Sequence, residues 1–318
     1  MSPPALVLCG PTASGKSEFA LRLAARLPVE IVSVDSTQVY RGLDIGSAKP
    51  DAELRARVPH HLIDIRDATE AYNAGEFVAD AMRLIGAIAA RGRLPLLVGG
   101  TMLYLHALLR GMADMPPAQP ALRAAIDARA ALRGWPALHA DLARADPEAA
   151  ARIHPNDAQR IQRALEVYES TGRPITSWQR STSPPSDTRF LRWALWPEDR
   201  ALLRGRIDAR FEQMLARGWL AEVESLAARP ELTGSEPAIR AVGYRQLWEY
   251  VKGRSSLETA RAAALRATRQ LVRRQLTWIR ADEGWRRVDP LVAGSFEAWA
   301  AEVEGAVEAS MHRPVARP

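Results

Sequence analysis

Cysteine and lysine are both scarce in this chain of 318 residues, and long apolar runs are absent. A single cysteine, Cys9, excludes a disulfide within the chain and a metal site built from several thiolates. No stretch approaches the roughly 20 consecutive apolar residues that a membrane helix needs. The sequence also starts without the basic segment and apolar run of a secretion signal. We therefore expect a cytoplasmic protein that does not enter a membrane.

The positive charge of the chain is unevenly distributed. The net charge of +6 and the pI near 9.9 favour a polyanionic partner, although an arginine excess also arises in GC-rich genomes. Pro237–Ala281 holds ten basic residues and two acidic ones. A helix over this segment aligns four arginines on one face, beside a mostly apolar stripe: Arg266, Arg269, Arg273 and Arg280. A stripe of one sign is typical of a surface that contacts a phosphate backbone.

The most informative motif is a phosphate-binding loop of the form G-x-x-x-x-G-K-S, which follows the apolar run Ala5–Cys9. A strand that leads through a glycine-rich turn into a helix directs backbone N–H groups toward one anion. The lysine of such a loop, Lys16, carries charge for the outer phosphate, and the hydroxyl of Ser17 is a ligand for Mg²⁺. We predict a di- or triphosphate site formed by Gly10, Pro11, Thr12, Ala13, Ser14, Gly15, Lys16 and Ser17.

The first 110 residues alternate apolar runs with amphipathic segments, which predicts an α/β fold with a P-loop NTPase-like parallel sheet flanked by helices. The predicted strands are Ala5–Cys9, Glu30–Val34, His61–Ile65, Leu94–Val98 and, much later, Phe190–Trp196. Predicted helices include Lys16–Leu27, Gly75–Ala90 and Thr101–Arg110, and three or four more follow the last strand, the longest over about Ser256–Ala281. Active sites of such sheets lie at the carboxyl ends of the strands.

Two proline-rich stretches, Met115–Pro120 and Ser181–Pro185, bracket a segment with a helical pattern throughout. Between Met112 and Thr188 the charges balance, with nine basic and nine acidic residues. We predict that residues 113–188 form an all-helical insertion, and that residues 1–112 and 189–318 form the catalytic core with its C-terminal helices.

Asp35 ends the second predicted strand, at the position that faces the phosphate site in P-loop folds. A carboxylate there binds Mg²⁺ through water or accepts a proton from an attacking nucleophile, and an Asx turn is the structural alternative. Arg41 and Lys49 in the following connection either add charge to the site or are solvated. No two of the six histidines are spaced as metal ligands, so we expect no zinc.

Taken together, seven segments resemble the family of tRNA dimethylallyltransferases. They are Gly10–Ser17, Asp35–Pro50, Pro59–Asp64, Val98–Tyr104, Gln159–Arg163, Val242–Gln246 and Thr268–Arg280. The phosphate loop alone is generic, whereas this ordered set is specific and spans nearly the whole chain. The departures are mild: Ser47 stands where threonine is common, and Ala241 where cysteine is frequent.

The resemblance implies transfer of a dimethylallyl group from dimethylallyl diphosphate to N6 of the adenine at position 37 of tRNA. The phosphate loop would then hold a diphosphate leaving group, with Mg²⁺ as cofactor. By the same resemblance, Thr12 donates to the bridging oxygen and Arg210 clamps the diphosphate. Asp35 is the expected base for the N6 proton, and the adenine must leave the anticodon-loop stack to reach the donor.

The resemblance also implies an RNA surface. The residues just after Asp35 are expected to read the adenine or its neighbours, and the insertion to close over the anticodon stem-loop. The predicted RNA contacts are Asp35, Ser36, Thr37, Gln38, Thr101, Arg123, Gln159, Arg160, Ile161, Gln162, Arg163, Arg240, Arg245, Arg273, Arg274 and Arg280. Because one chain is able to embrace one stem-loop, we expect a monomer.

Other functions also agree with a P-loop core. A small-molecule or nucleotide kinase explains residues 1–110 but gives no role to the basic helices. A nucleic-acid-binding ATPase explains the basic helices, but Leu94–Val98 ends in Gly99 rather than in the aspartate of a Walker-B strand. Prenyl transfer to a free adenosine phosphate is a further alternative, which leaves the basic surface unused.

Overall fold

The computed structural model describes residues 4–113, 115–180 and 188–311, so the predicted linker Ser181–Pro185 lies outside the described residues. The chain divides into two compact units, with boundaries after Leu105 and before Thr188. The first unit contains the sheet, and the second is helical.

A parallel sheet of six strands organises the first unit. The strands are β1 (Ala5–Cys9), β2 (Val29–Val34), β3 (His60–His61), β4 (Leu94–Gly99), β5 (Phe190–Leu195) and β6 (Arg286–Val288). Their order across the sheet is β3-β2-β4-β1-β5-β6, with every pair parallel. Because helices cover the sheet, the central strands are buried along their full length and read as continuous apolar runs. The predicted fold class is confirmed.

Helices connect and follow these strands. They are α1 (Lys16–Ala24), α2 (Ala52–Arg57), α3 (Ala74–Ala90), α4 (Met102–Arg110), α10 (Arg200–Ala216), α11 (Trp219–Ala227), α12 (Tyr244–Val251), α13 (Leu257–Ala281) and α14 (Ser295–Met311). On one face of the sheet, Phe19 of α1 packs against Phe296 and Trp299 of α14, with 5.4 Å between ring centroids in both pairs. The end of the chain therefore completes the core around the first strand.

Three predictions about elements were wrong. The strand predicted over His61–Ile65 stops at His61, because Leu62 and Asp64 adopt left-handed backbone angles with φ of 62° and 58°. Strand β6 was not predicted, since it has no apolar run; the Trp196 amide, which donates to the Val288 carbonyl at 2.7 Å, helps to hold it at the edge. Five helices, rather than three or four, follow β5.

The second unit consists of short helices around its own core. They are α5 (Pro120–Arg133), α6 (Trp135–Ala145), α7 (Pro147–Arg152), α8 (Ala158–Thr171) and α9 (Ile175–Gln179). One buried carboxylate, Glu166, accepts hydrogen bonds from the Gln119 amide and from the guanidiniums of Arg123 and Arg163. Its charge is therefore fully compensated inside the unit. Within the described ranges, no helix is both long and apolar enough to cross a membrane.

A second buried carboxylate belongs to a strand of the sheet. Glu30 of β2 is 4% exposed and accepts hydrogen bonds from the Arg91 guanidinium at 2.7 and 3.2 Å, and His61 Nε2 lies 2.7 Å from it. The hydrogen bond from Arg91 holds the pKa of Glu30 below its usual value. A carboxylate of this kind stabilises the fold above its unfolded pKa, and the contribution is lost as the pH falls through the folded pKa.

We therefore predict that Glu30→Gln lowers the free energy of unfolding by about 1–3 kcal/mol at pH 7, because it removes the buried negative charge that accepts from Arg91 and faces His61. Urea unfolding followed by circular dichroism measures this free energy. The difference in it between the variant and the wild type should shrink as the pH falls from 7 toward 3. Glu224→Gln, at an exposed position, is the matched control. If the difference in unfolding free energy were the same at pH 7 and pH 3, the charge of Glu30 would not be what stabilises the fold.

Candidate functional site

The phosphate loop connects β1 to α1 with a backbone that only certain residues allow. Gly15 has φ of +93° immediately before the helix, where a side chain would be strained. A Cβ on Gly10 would lie 2.9 Å from Ser14 Oγ and 3.0 Å from the Leu195 carbonyl oxygen. The two glycines of the motif are thus required by conformation and by close approach.

One polar side chain of this loop, that of Ser14, is buried without a partner, and Lys16 is half-buried. Ser14 Oγ has no accessible surface and no hydrogen-bond partner in the described part of the chain. The Lys16 ammonium donates to the carbonyls of Gly10 at 2.9 Å and Pro11 at 2.7 Å. An anion that enters the loop would find one unsatisfied hydroxyl and an ammonium held close by.

Lys16 and Arg210 form a pair of like charges. Burial and, to a smaller extent, the positive charge of Arg210 from α10 lower the pKa of Lys16 to about 8, against the opposing effect of Asp35. Burial likewise lowers the pKa of Arg210, again opposed by Asp35. Within the residues that the structure describes, neither side chain forms an ion pair with a carboxylate at 4.0 Å or less. Two half-buried cations without a bonded anion are an arrangement that is able to accept an anion.

Asp35 lies at the end of β2 and interacts electrostatically with both cations. Its Oδ1 accepts hydrogen bonds from the amide, at 2.9 Å, and from the hydroxyl of Thr37, so the Asx turn that was considered as an alternative is present. The second carboxylate oxygen has no hydrogen bond to a described residue. The turn fixes the carboxylate and leaves one oxygen for chemistry.

Gln275 of α13 was not predicted and belongs to the site. It is 5% exposed; its Oε1 accepts from the Thr12 amide at 3.0 Å, and its Nε2 donates to the Gly100 carbonyl at 2.8 Å. A side chain on Gly100 would lie 2.4 Å from Nε2, so only glycine leaves room for this contact. The available signal was a polar residue within the apolar stripe of an amphipathic helix. Gln275 joins α13 to the phosphate loop.

The ends of β2 and β4 are also brought together. The Ser36 amide donates to Thr101 Oγ1 at 3.0 Å, as the resemblance placed both near one site. The side chain of Gln38 forms its hydrogen bonds within the protein. Its Oε1 accepts from Ser33 Oγ at 2.8 Å, and its Nε2 donates to the carbonyls of Ser47 and Ala48. It therefore shapes the connection after β2.

Neither Lys49 nor Arg41 adds charge to the phosphate loop. Lys49 is 2% exposed and donates to Asp64 at 2.6 Å, to Asp44 and to the Tyr40 carbonyl, so it holds the connection together. Arg41 donates to the Asp64 carbonyl at 3.2 Å and faces Glu70. Both side chains are structural in this arrangement.

The arginines of the C-terminal helices fall into two groups. Arg245, Arg273, Arg274 and Arg280 are exposed and form no ion pair to a described carboxylate; Arg240 is also exposed. Arg269 instead binds Asp208 of α10, with both N···O distances 2.8 Å, so the predicted stripe is interrupted at that position.

In the helical unit, only part of the predicted RNA cluster faces solvent. Gln159 and Arg160 are exposed. Ile161 has no exposed surface and packs in the core, so its side chain is not available to a ligand. The prediction that this side chain contacts RNA is therefore wrong. Gln162 donates to Asp127 at 2.6 Å. Arg123 and Arg163 are bonded to Glu166, which orients them but occupies their donors.

A protein-only metal cage is not built into the described residues, since no three His, Cys, Asp or Glu side chains there are placed to share an ion. Ser17 offers an exposed hydroxyl at the start of α1, without a hydrogen bond to the rest of the described chain. One hydroxyl and the nearby carboxylate of Asp35 are hard oxygen donors of the kind that Mg²⁺ uses together with phosphate oxygens and water.

Known proteins are similar to this chain in sequence and in fold. The IPP transferase family model matches residues 38–282. The tRNA dimethylallyltransferase of Stenotrophomonas maltophilia is 56% identical over 294 residues, covering 91% of this chain and 93% of that protein. That of Bordetella pertussis is 55% identical over 285 residues, with coverage of 88% and 91%.

Solved structures agree over the whole chain. The tRNA isopentenylpyrophosphate transferase of Bacillus halodurans is 35% identical with a TM-score of 0.71, covering 97% of this chain and 98% of that one. A eukaryotic dimethylallyltransferase captured acting on tRNA is 25% identical with a TM-score of 0.79, covering 99% and 81%. Sequence and fold together show that this chain belongs to the IPP transferase family.

Proposed function

We propose that this protein transfers a dimethylallyl group from dimethylallyl diphosphate to N6 of adenine 37 in the anticodon loop of tRNA. The observation that carries the proposal is the grouping of Asp35 with two cations, Lys16 and Arg210, beside the phosphate loop. Such a grouping would hold a diphosphate and place a base for an amine beside it. The relatives named above bear the names of enzymes that act on tRNA.

The loop and its cations would bind the diphosphate. Its oxygens would replace the loop carbonyls as partners of Lys16, whose Nζ is 2.7 Å from the nearer carbonyl, and would accept from the unsatisfied Ser14 hydroxyl. Arg210 is planar and suits two oxygens at once. Thr12, whose hydroxyl has no partner among the described side chains and backbone, would donate to the bridging oxygen.

The transfer breaks the bond between C1 of the dimethylallyl group and the bridging oxygen, and forms a bond from N6 to C1. The electrons of the broken bond leave on the diphosphate, where Lys16, Arg210 and Thr12 would stabilise them. N6 is a weak nucleophile because its lone pair is delocalised into the ring. The free oxygen of Asp35 would remove the N6 proton during attack.

Mg²⁺ is the proposed cofactor, with Ser17 as its protein ligand. Bound there, it would supply positive charge to the departing diphosphate. The hydroxyl of Ser17 would orient that ion.

An RNA partner is supported by where the unpaired arginines lie. Between residues 22 and 93, every arginine except Arg57 pairs with a described carboxylate. Between residues 200 and 287, the arginines without such a pair outnumber those with one. The exposed Trp278 lies on the same helix as Arg273 and Arg274, and aromatic side chains among arginines are typical of surfaces that stack on unpaired bases.

The RNA would also contact the connection after β2 and the helical unit. Ser36, Thr37 and Thr101 are proposed to contact the adenine or its neighbours. Gln159 and Arg160 are the exposed candidates on the insertion, which we propose spans residues 113–188 and closes over the stem-loop.

The proposed activity is tested by offering unmodified tRNA with Mg²⁺ and either dimethylallyl diphosphate or ATP, followed by mass spectrometry of the digested RNA. One adenosine should gain the mass of a dimethylallyl group only with the diphosphate donor. A tRNA with guanosine at position 37 is the matched control and should gain nothing. No gain, with ATP consumed in the presence of a small acceptor, would instead establish a kinase.

Asp35→Asn removes the base but keeps an oxygen for the Thr37 hydrogen bonds. We predict that its turnover falls by about 10²–10⁴-fold, while the Kd for tRNA changes by less than about twofold. Single-turnover kinetics and filter binding separate the two quantities. Turnover near that of the wild type would remove Asp35 from the role of base, and an equal loss of binding would assign it to recognition.

Gln275→Met keeps the length of the side chain and leaves the Thr12 amide without its acceptor. We predict that the affinity for dimethylallyl diphosphate falls by about tenfold, while tRNA affinity is retained. Gln270→Met makes the same chemical change at an exposed position of α13 and should have no effect. If both variants bind the donor as the wild type does, the Gln275 contact does not order the loop.

A further inference from the structure

Three arginines surround one tryptophan at the carboxyl edge of the sheet. Trp196 directly follows β5 and is 6% exposed. The guanidinium carbons of Arg200, Arg280 and Arg287 lie 4.8, 5.7 and 4.7 Å from its ring centroid. These arginines come from the start of α10, the end of α13 and the middle of β6, so the fold, rather than one helix, brings them together. We call these four residues the Trp196 cluster.

The cluster has no anion of its own. No carboxylate in the described part of the chain lies within 4.0 Å of the three guanidiniums, and Arg200 Nη1 is buried without a hydrogen-bond partner. The neighbouring acids serve other groups: Asp199 caps α10, and Asp282 pairs with Arg192. Attraction to the ring offsets part of the repulsion among three like charges, but it leaves their donors free.

Its position connects the cluster to the proposed RNA surface. The carbonyl of Leu195, the residue before Trp196, would lie 3.0 Å from a Cβ on Gly10, so the cluster neighbours the phosphate loop. Along α13, Arg273 and Arg280 are two turns apart, or about 10 Å by the helical rise. The exposed arginines of α13 therefore continue into the cluster.

We propose that the Trp196 cluster binds phosphates of the RNA backbone, outside the pocket that holds the reacting groups. This rests on the proposed function, since the RNA is its substrate. Guanidiniums match phosphate oxygens with paired donors, and a phosphate supplies the partner that Arg200 Nη1 lacks. Backbone contacts carry no base identity, so the cluster strengthens binding and sets the register of the RNA on the protein.

The test is the salt dependence of RNA binding by Arg200→Gln/Arg287→Gln, which removes two charges but keeps hydrogen-bonding side chains. At low salt its Kd for the anticodon stem-loop should rise about tenfold, and the slope of log K against log salt should become shallower by about one to two. Affinity for dimethylallyl diphosphate and turnover at saturating RNA should stay within about twofold of wild type. Arg83→Gln/Arg254→Gln removes two exposed arginine charges elsewhere and should leave the slope unchanged.

A second variant, Arg200→Lys/Arg287→Lys, separates charge from packing and should keep most of the slope. The proposal is overturned if the cluster variant matches the Arg83/Arg254 control, or if the lysine variant loses as much binding as the glutamine variant. Weaker binding of the diphosphate donor with unchanged RNA binding would also overturn it. If the wild type neither binds nor modifies RNA, the proposed function is wrong, and the proposal for the Trp196 cluster is overturned together with it.

Discussion

Two neighbouring, half-buried cations, Lys16 and Arg210, have no bonded carboxylate in the described chain, and this constrains the rest of the site. Burial lowers the pKa of both side chains, and each is stabilised by Asp35 rather than by an ion pair. Such an arrangement costs free energy in the folded protein, because charges have been removed from water and placed near one another. A diphosphate between them would offset that cost. A free-energy cost of this kind is expected at a site that must bind a leaving group before the group departs.

The fold meets this constraint through the order of its strands. Strands β2, β4 and β1 are neighbours, so Asp35, the Gly99–Thr101 turn and the phosphate loop meet at one edge. Gln275 then ties α13 to two of these segments from the buried side of the helix. The same helix presents Arg273 and Arg274 to solvent. One element thus supports the phosphate loop on one face and carries the proposed RNA surface on the other.

Local patterns in the sequence predicted the elements that have strong periodicity. The predicted bounds of β1 and the predicted start of α1 agree with the structure, because an apolar run meets the glycine-rich loop there. The predicted bounds of α3 and α13 differ from the observed ones by one residue or less. The loop residues, Asp35 and the exposed arginines of α13 were likewise visible as residue types in sequence. The roles of these residues remain predictions, while the family is established by the relatives.

What could not be predicted depends on contacts between distant segments. Gln275 lies 263 positions from Thr12, and although its place in the apolar stripe of α13 indicated burial, nothing local identified its partners. The hydrogen bonds of Arg123 and Arg163 to Glu166 could not be predicted either, because the three side chains meet only in the folded helical unit. Strand β6 has no apolar run, because it is a short edge strand whose place is fixed by its partner. Likewise, the grouping of Arg200, Arg280 and Arg287 exists only once β5, β6 and α13 are adjacent.

The most direct measurement is a crystal structure with an unreactive thiolo analogue of dimethylallyl diphosphate and an anticodon stem-loop. We expect a diphosphate within hydrogen-bond distance of Lys16 Nζ and Arg210, with Lys16 released from at least one loop carbonyl. We also expect N6 of adenine 37 near Asp35 and facing C1 of the analogue. A diphosphate bound outside the loop, or an adenine whose N6 lies away from Asp35, would contradict it.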